Sequence, residues 1–555
     1  MPPYCRTGLP VLALLLASCA TGARRPPLAP EPAAECIVAA EGAKDSSAPT
    51  TSAITIAVTT PLDTANAPWP RNAGERLLFA QLYEPLVRLD CTGALIPALA
   101  QSWRRESRAS ESTDDSAKTG GAATTRESTA SRDDSPAPRV VRLTFTLRHG
   151  ARFTNGDQVR ASDVISSWRA SAEAHAREPV GSLISAIASG ARATDDSTLV
   201  VELPDSLADL RALASPYLAV SRPAPSGSGW PYGTTSYYVD SALERYGPAP
   251  GERLPVMAIV GLRALGKVTP KSAATGGSST SGKAPPLLFQ VVPDADRRDI
   301  LDWGADILIT SSPAAVQYAR TQIDRASIPL PWTRIYVLLL PAHDASGDAA
   351  RCADSALRPL RDALAMAVHI EARGAEGPCW WRSGSSGARR DPHLHTRPRQ
   401  ILYSMEDATA RELAERIVAL ASPGREEPAT TALRHAAPEL FEGGDWNAAG
   451  MDSIHFAARL KRGTDGAYIL ALPSDPEWPA AARAALRAAA PWLAPFGGTG
   501  AILPLVDARE TLLIRRERGI PRMTILHDAT VIFDAAASAN SGNAGDTSAS
   551  GRSTP

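Results

Sequence analysis

Apolar residues in this chain recur with two periods, one of two residues and one close to 3.6, separated by long polar runs. Ile54-Thr55-Ile56-Ala57-Val58 is a β-branched run and reads as a strand. In residues 75–89, ERLLFAQLYEPLVRL, Leu77, Leu78, Leu82 and Leu86 lie near helical spacing, and Pro85 ends that helix early. In residues 139–148, RVVRLTFTLR, Val141, Leu143, Phe145 and Leu147 fall on one face, the pattern of a half-buried strand. Residues 161–171 read as a helix with Ser162 as N-cap. Residues 195–203 read as a turn and strand, and residues 305–310 and 334–340 as strands. Residues 357–372, 408–421 and 479–490 are helical by apolar spacing and by their Ala, Leu and Arg content. Mixed elements in this order predict a layered α/β architecture.

Three low-complexity stretches interrupt the pattern. Residues 106–138 and 269–286 read as surface loops inserted between strands, and residues 535–555 as a tail of similar composition. Lys and Arg number 58 against 59 Asp and Glu, a net charge of −1, so the basic excess of a nucleic-acid surface is missing. Residues 53–534 suffice for two or three domains.

The N-terminus carries a different signal. Arg6 precedes the apolar run LPVLALLLASC of residues 9–19, which ends in small residues. Charge, a short greasy stretch and small residues make a secretory signal, and the run is shorter than the roughly 20 apolar residues a bilayer span needs. Leu16-Ala17-Ser18-Cys19 resembles the lipobox of bacterial lipoproteins. That resemblance implies removal of residues 1–18, lipidation of Cys19 and attachment to a membrane. Residues 19–52, rich in Ala, Pro, Ser, Thr and Glu, read as a flexible tether. Export leaves four cysteines for disulfides: Cys36, Cys91, Cys352 and Cys379. Three pairings are open. Cys36–Cys91 and Cys352–Cys379 are favoured because each closes a local loop.

No catalytic constellation emerges. Gly227-Ser228-Gly229 is a broken nucleophile motif without strand-turn-helix context, and no Gly-rich phosphate loop is present. His393 and His395 sit on one side of an extended segment, as a metal pair would. The polar stretch around them, RRDPHLHTRPRQ, reads instead as a solvated loop. The expectation is a protein that is not an enzyme and holds no cofactor.

Two segments carry a family resemblance. Tyr83-Glu84-Pro85-Leu86 with Pro97-Ala98-Leu99-Ala100-Gln101-Ser102-Trp103 is similar to the opening of the extracellular solute-binding proteins, family 5, which serve ABC importers of oligopeptides, dipeptides and nickel. Residues 143–168, LTFTLRHGARFTNGDQVRASDVISSW, resemble the same family through Phe145, Leu147, Arg148, Phe153, Asn155, Gly156, Asp163, Val164, Ser167 and Trp168. Residues 195–203, Ala305-Asp306-Ile307 and Leu357–Leu364 follow in the family's order. Most of these residues are architectural. Gly156 suits a turn with positive φ, Trp103 and Trp168 read as packing aromatics, and Asp163 favours the start of its helix.

The resemblance implies a two-lobe periplasmic-binding-protein-like α/β fold, type II and cluster C-like. Residues 53–338 would form a discontinuous first lobe, 339–499 a shortened second lobe and 500–534 the return. It further implies a monomer outside the cytoplasm, anchored to a bacterial membrane, with a peptide or small solute and an ABC permease as partners. The family's Gly-Thr-Gly-Pro-Tyr segment survives only as Gly233-Thr234-Thr235-Ser236-Tyr237-Tyr238, and its ligand loop is reduced to Leu472–Trp478. Ligand-binding candidates are Tyr232, Tyr237, Trp446, Asp475 and Trp478. The alternative is a derivative of the same fold with a degraded cleft, acting as a structural or signalling lipoprotein.

Overall fold

The computed structural model describes residues 36–38, 53–108, 140–177, 179–224, 229–247, 256–265, 284–293, 295–340, 355–376, 399–424, 426–441, 446–462, 466–473, 502–518 and 520–535. Cys19, Cys352, Cys379, His393, His395, Asp475, Trp478 and the expected helix 479–490 lie outside them.

The chain enters through β1 (Ile37–Val38) and β2 (Ile54–Val58). Helix α1 (Ala73–Phe79) is shorter than its apolar spacing suggests. Glu84 precedes Pro85, and a residue before proline is pushed out of the helical region. The chain turns at Phe79–Tyr83 instead, and Glu84 N–H donates to the Thr234 hydroxyl at 3.2 Å. A hairpin of β3 (Val87–Leu89) and β4 (Leu95–Pro97) leads into β5 (Ala100–Arg108). β5 pairs with β6 (Val140–Leu147) out to Arg108 opposite Val140, so Glu106, Ser107 and Arg108 belong to a strand and not to the loop expected from residue 106.

The inward face of β6 is the one its alternation predicts: Val141, Leu143, Phe145 and Leu147 are all buried. Helix α2 (Ala161–Ala174) follows, then α3 (Pro179–Ser189), β7 (Ala191–Ala193) and β8 (Thr198–Pro204). The four strands order as β5-β6-β8-β7, and α2 and α3 cover them in one core built on Trp168. The Trp168 ring is fully buried and its Nε1–H donates to Leu218 O at 2.9 Å. Ser162 is not the N-cap of α2. Arg160 holds that position, and the Asp163 carboxylate accepts from its N–H at 2.8 Å, which supplies the capping group from inside the first turn.

Further along come β9 (Tyr237–Val239), β10 (Arg245–Tyr246), β11 (Ala258–Ala264), β12 (Leu287–Val291), α4 (Arg297–Asp302), β13 (Ile307–Thr310), α5 (Pro313–Thr321) and β14 (Arg325–Leu339). They are followed by α6 (Arg358–Ala367), β15 (Ala372–Gly374), β16 (Gln400–Ser404), α7 (Ala408–Ala421), α8 (Pro428–Ala436), β17 (Asn447–Met451), α9 (Ser453–Arg462) and β18 (Ala467–Pro473). The chain ends through β19 (Ile502–Arg515), β20 (Met523–Ile525) and β21 (Val531–Phe533). α6 stops at Ala367, where Val368 turns extended, five residues short of the expected 372. α7 has the bounds its spacing predicts.

β20 and β21 form a small sheet with β1, while β2 and the strands from β9 to β19 form one large sheet with the path β10-β11-β12-β2-β13-β19-β14-β18-β16-β17. Its two ends belong to different cores. β2, β12 and β13 run parallel and bury Ile54, Ile56, Phe289 and Ile307 in one core. β16, β17 and β18 run parallel at the other end, where Ile401 and Ile469 enter a second core with α6, α7 and α8. The antiparallel pair β14–β19 joins the halves. β14 gives Leu330 to the first core but Tyr336 and Leu338 to the second, while β19 gives Leu512 and Ile514 to the first and Leu503 and Leu505 to the second. β14 is longer than expected, starting at Arg325 rather than 334, and β19 runs unbroken from Ile502 to Arg515.

Residues 36–38 lie within the stretch read as a tether, yet β1 pairs with β20, and Cys36 is bonded to Cys91 with their Cα atoms 5.2 Å apart.

Candidate functional site

The register of the large sheet converges on one place. β13 ends at Thr310, opposite Thr511 of β19, which pairs in turn with Pro329 of β14. β2 runs beside β13 with Ala57 next to Leu308, so its carboxyl end emerges at the same level. From the other half, β18 ends at Pro473, opposite Arg334. The carboxyl ends of both parallel sets therefore meet at residues 329–334 and 509–511. In open α/β sheets, ligands bind outside the carboxyl ends of the strands. The β14–β19 pairing also loses regular register here, between Pro329 and Trp332 and again between Trp332 and Arg334. Irregular pairing between two packed bodies is where a hinge forms.

The side chains at this crossing are aromatic and charged. The Arg373 and Arg509 guanidinium groups lie over the Trp332 ring, 4.6 and 4.4 Å from its centre. Arg509 Nε donates to Glu371 at 2.7 Å, and Arg320 donates to the same carboxylate at 3.1 Å. Arg334 pairs with Glu510 at 2.8 Å, and that ion pair raises the pKa of the arginine. Asp507, 2 % exposed, accepts from Glu376 N–H at 3.3 Å and from Arg373 at 3.4 Å, while its Oδ1 has no partner. Desolvation raises the pKa of this carboxyl.

The loop that leaves β2 is fastened from beneath by Glu75, which is 1 % exposed. Its carboxylate accepts from Asp63 N–H at 3.0 Å, Asn66 Nδ2 at 2.9 Å and Arg71 N–H at 2.6 Å. Asn72 caps α1 by accepting from Glu75 N–H at 3.0 Å. One acid at the third helical position thus fixes the path of residues 61–72. Asp306 does the same for the other side of the sheet. It is fully buried and accepts from Thr55 N–H at 2.9 Å and from Arg518 Nε at 2.9 Å, tying β2, β13 and the return segment together.

Three of the ligand candidates read from sequence, Tyr232, Tyr237 and Trp446, lie among the described residues, and these three do not gather at the crossing. Tyr232 packs against the core of α2 and α3 and exchanges backbone hydrogen bonds with Arg222 at 2.8 and 3.0 Å. Tyr237 is buried in the first core of the large sheet, and its register opposite Ala264 sets it by the amino end of β12 and β2. Trp446 packs on the second core. Gly233 is required for packing: a Cβ there would lie 1.9 Å from Leu82 O. Trp332, Arg373 and Arg509 carried no such signal in the sequence, except that Pro329 and Pro331 mark a strand with broken pairing. Among the described residues, no group of three or more His, Cys, Asp and Glu could hold a metal, and no helix is long and apolar enough to cross a membrane.

Residues 94–241 match the family model described as bacterial extracellular solute-binding proteins, family 5 Middle. No curated protein matches the sequence. Among solved structures the chain is similar to NikA from Brucella suis in complex with Fe(III)-EDTA, at 16 % identity and TM-score 0.50, covering 83 % of this chain and 95 % of that one. It is similar also to a dipeptide-binding protein from Pseudoalteromonas sp. SM9913 in complex with Met-Leu, at 14 % identity and TM-score 0.51, covering 87 % and 98 %. At these identities the likeness establishes the fold. Residues 94–241 are thus similar to part of that family, and the likeness to these solved structures shows the shared mixed α/β fold of two-lobe binding proteins.

Proposed function

We propose that the chain is an extracytoplasmic lipoprotein, anchored through Cys19, that captures a peptide or similar small solute and delivers it to an ABC permease. Residues 53–338 with the return 500–534 form one lobe in this reading, and 339–499 the other. The observation that carries it is the convergence of β2, β13 and β18 on the β14–β19 crossing, where the pairing loses register. A solute held there contacts both bodies, and Trp332 offers an apolar surface beside paired charges. Asp475 and Trp478 follow within five residues of Pro473, the end of β18 that points at the crossing. Asp475 would meet a peptide's amino group, since a buried charge needs a partner.

Thermal unfolding with mixed dipeptides, nickel and heme-like solutes tests the reading. A ligand at about 100 times its Kd stabilises the folded state by about 2.7 kcal/mol. A raised Tm with one solute class, and its detection in native mass spectra, is the expected result. No shift with any of them sinks the transport reading in favour of a derivative with a degraded cleft.

A further inference from the structure

A cavity of about 280 Å³ lies far from the crossing, beside the end of α1 and β21. Glu84, Arg88, Ser236, Tyr237, Arg522 and Asp534 line it. Tyr237 sets its position: the strand carrying it flanks the amino end of the parallel strands, opposite the end where β2 and β13 meet the crossing. One water needs only about 10–15 Å³ of such space, so the cavity admits a larger guest.

The charged groups in this cavity are incompletely paired. Glu84 is occupied by Arg148, whose guanidinium reaches it at 3.1 and 3.5 Å. Arg88, only 14 % exposed, approaches Glu84 no closer than 3.9 Å and gives Ala80 O a 3.4 Å bond. Desolvation lowers the pKa of this guanidinium. Asp534 has Arg522 at 3.7 Å, beyond hydrogen-bond distance, and burial raises its pKa. Tyr237 is 1 % exposed and its hydroxyl has no partner. Buried hydroxyls are normally hydrogen-bonded, so the Tyr237 hydroxyl is a donor still to be met beside this cavity. Two cations and two anions balance, and the unmet groups are a guanidinium, a phenol donor and a carboxylate.

We propose that this cavity is a second binding site, for a small dipolar solute of the α-amino-acid class. The solute's carboxylate lies on Arg88 and the Tyr237 hydroxyl, and its ammonium on Asp534. Charge-assisted bonds of this kind are the strong ones, and a guanidinium offers a fork matched to a carboxylate. The site is independent of what occupies the crossing.

Isothermal titration of the full chain with glycine and with L-leucine tests the proposal. Both probes bind the wild type, while acetate and methylamine, each half of the dipole, bind far more weakly. Tyr237→Phe and Asp534→Asn each weaken the probes about tenfold or more, the loss expected for one hydrogen bond to a charged group. Ser236→Trp, at an exposed rim position whose backbone carbonyl accepts from Leu265 N–H, blocks entry without removing any of the three groups. No binding of either probe at millimolar concentration overturns the proposal. So does binding that survives Ser236→Trp, or that survives both other substitutions in chains with wild-type melting curves.

Discussion

The Arg509 guanidinium lies 4.4 Å from the centre of the Trp332 ring while its Nε donates to Glu371 at 2.7 Å. The two residues face each other across the β14–β19 pair, where Trp332 is the registered partner of Arg509. A cation held against an aromatic face contributes about 0.5–1 kcal/mol at an exposed site and more when desolvated. Trp332→Ala removes that contact, the one with Arg373 and the packing of the ring. It is expected to cost about 2 kcal/mol of stability, read from urea midpoints, with Trp332→Phe costing less than half as much. Equal losses for both variants would show that the arginines contribute nothing through the ring.

Asp306 should be the most sensitive carboxylate in the described structure. Asp306→Ala removes the acceptor of the Thr55 N–H and the carboxylate of the Arg518 ion pair, although that guanidinium is 36 % exposed and keeps a 3.3 Å bond to Ala53 O. Losing charge-assisted bonds to a buried carboxylate costs about 2–3 kcal/mol. Expression with a much lowered Tm, or insoluble protein, is the expected outcome, with Asp306→Asn intermediate. A Tm within a degree of wild type would mean that the pair is replaced by solvent.

Asp507 predicts a pH dependence of opposite sign to that of an ordinary carboxylate. Its folded pKa is raised above 3.8 by desolvation, so the folded chain holds its proton more tightly than the unfolded chain. That contribution is fully present below the unfolded pKa and is lost as pH rises through the folded one. Asp507→Asn keeps the shape without the charge. The stability of wild type relative to this variant is expected to fall as pH rises from the ordinary aspartate value, and then to level. A rising difference would assign Asp507 as a net favourable ion pair with Arg373.

Residues 109–139 should be dispensable. Arg108 and Val140 are direct partners at the end of β5 and β6, so a short turn can join them. Loop entropy grows by only about 0.6 kcal/mol per doubling of length. Replacing these residues by a Gly-containing turn is expected to leave Tm unchanged or raise it by the equivalent of about 1–2 kcal/mol. A fall would show that the segment packs.

Cys19 is expected to carry the membrane attachment. Cys19→Ala should move the protein to the soluble fraction or leave its signal uncleaved, as seen by fractionation and intact mass. Unchanged membrane association with a processed N-terminus would refute lipidation at this residue.

Much of the scaffold was legible because it obeys simple periods. Val141 to Leu147 alternate and are buried as they alternate. Trp168 reads as a core aromatic and is one. The helix over residues 408–421 has both ends where its spacing sets them, with Asp407 accepting from Ala410 N–H at 3.0 Å. The crossing was not legible, and the reason is physical. Asp507-Ala508-Arg509-Glu510 interrupts two apolar runs, yet its three charges are met by Arg373 of β15, Glu371 just before that strand and Arg334 of β14. β14 carries Pro329 and Pro331 in its first half and shifts register around Trp332, so its alternation fails at the crossing. The ligand candidates are four aromatic residues and one acid, Asp475. Aromatic residues fill cores as readily as clefts, and Tyr232, Tyr237 and Trp446 each sit against a different core.

The Cys36–Cys91 bond changes the length of the leash. Counted to Ala53, the residue before the first strand of the large sheet, 34 residues separate Cys19 from the body (53 − 19). Counted to the covalent fastening at Cys36, only 17 do (36 − 19). At about 3.4 Å per residue the fully stretched reach halves, from about 116 to about 58 Å. For a flexible chain the root-mean-square reach scales with the square root of length, and the volume swept with its cube. With lipid on Cys19, as proposed, a body fastened at residue 36 would patrol a volume about threefold smaller, and its encounter frequency with a membrane neighbour would rise by the same factor.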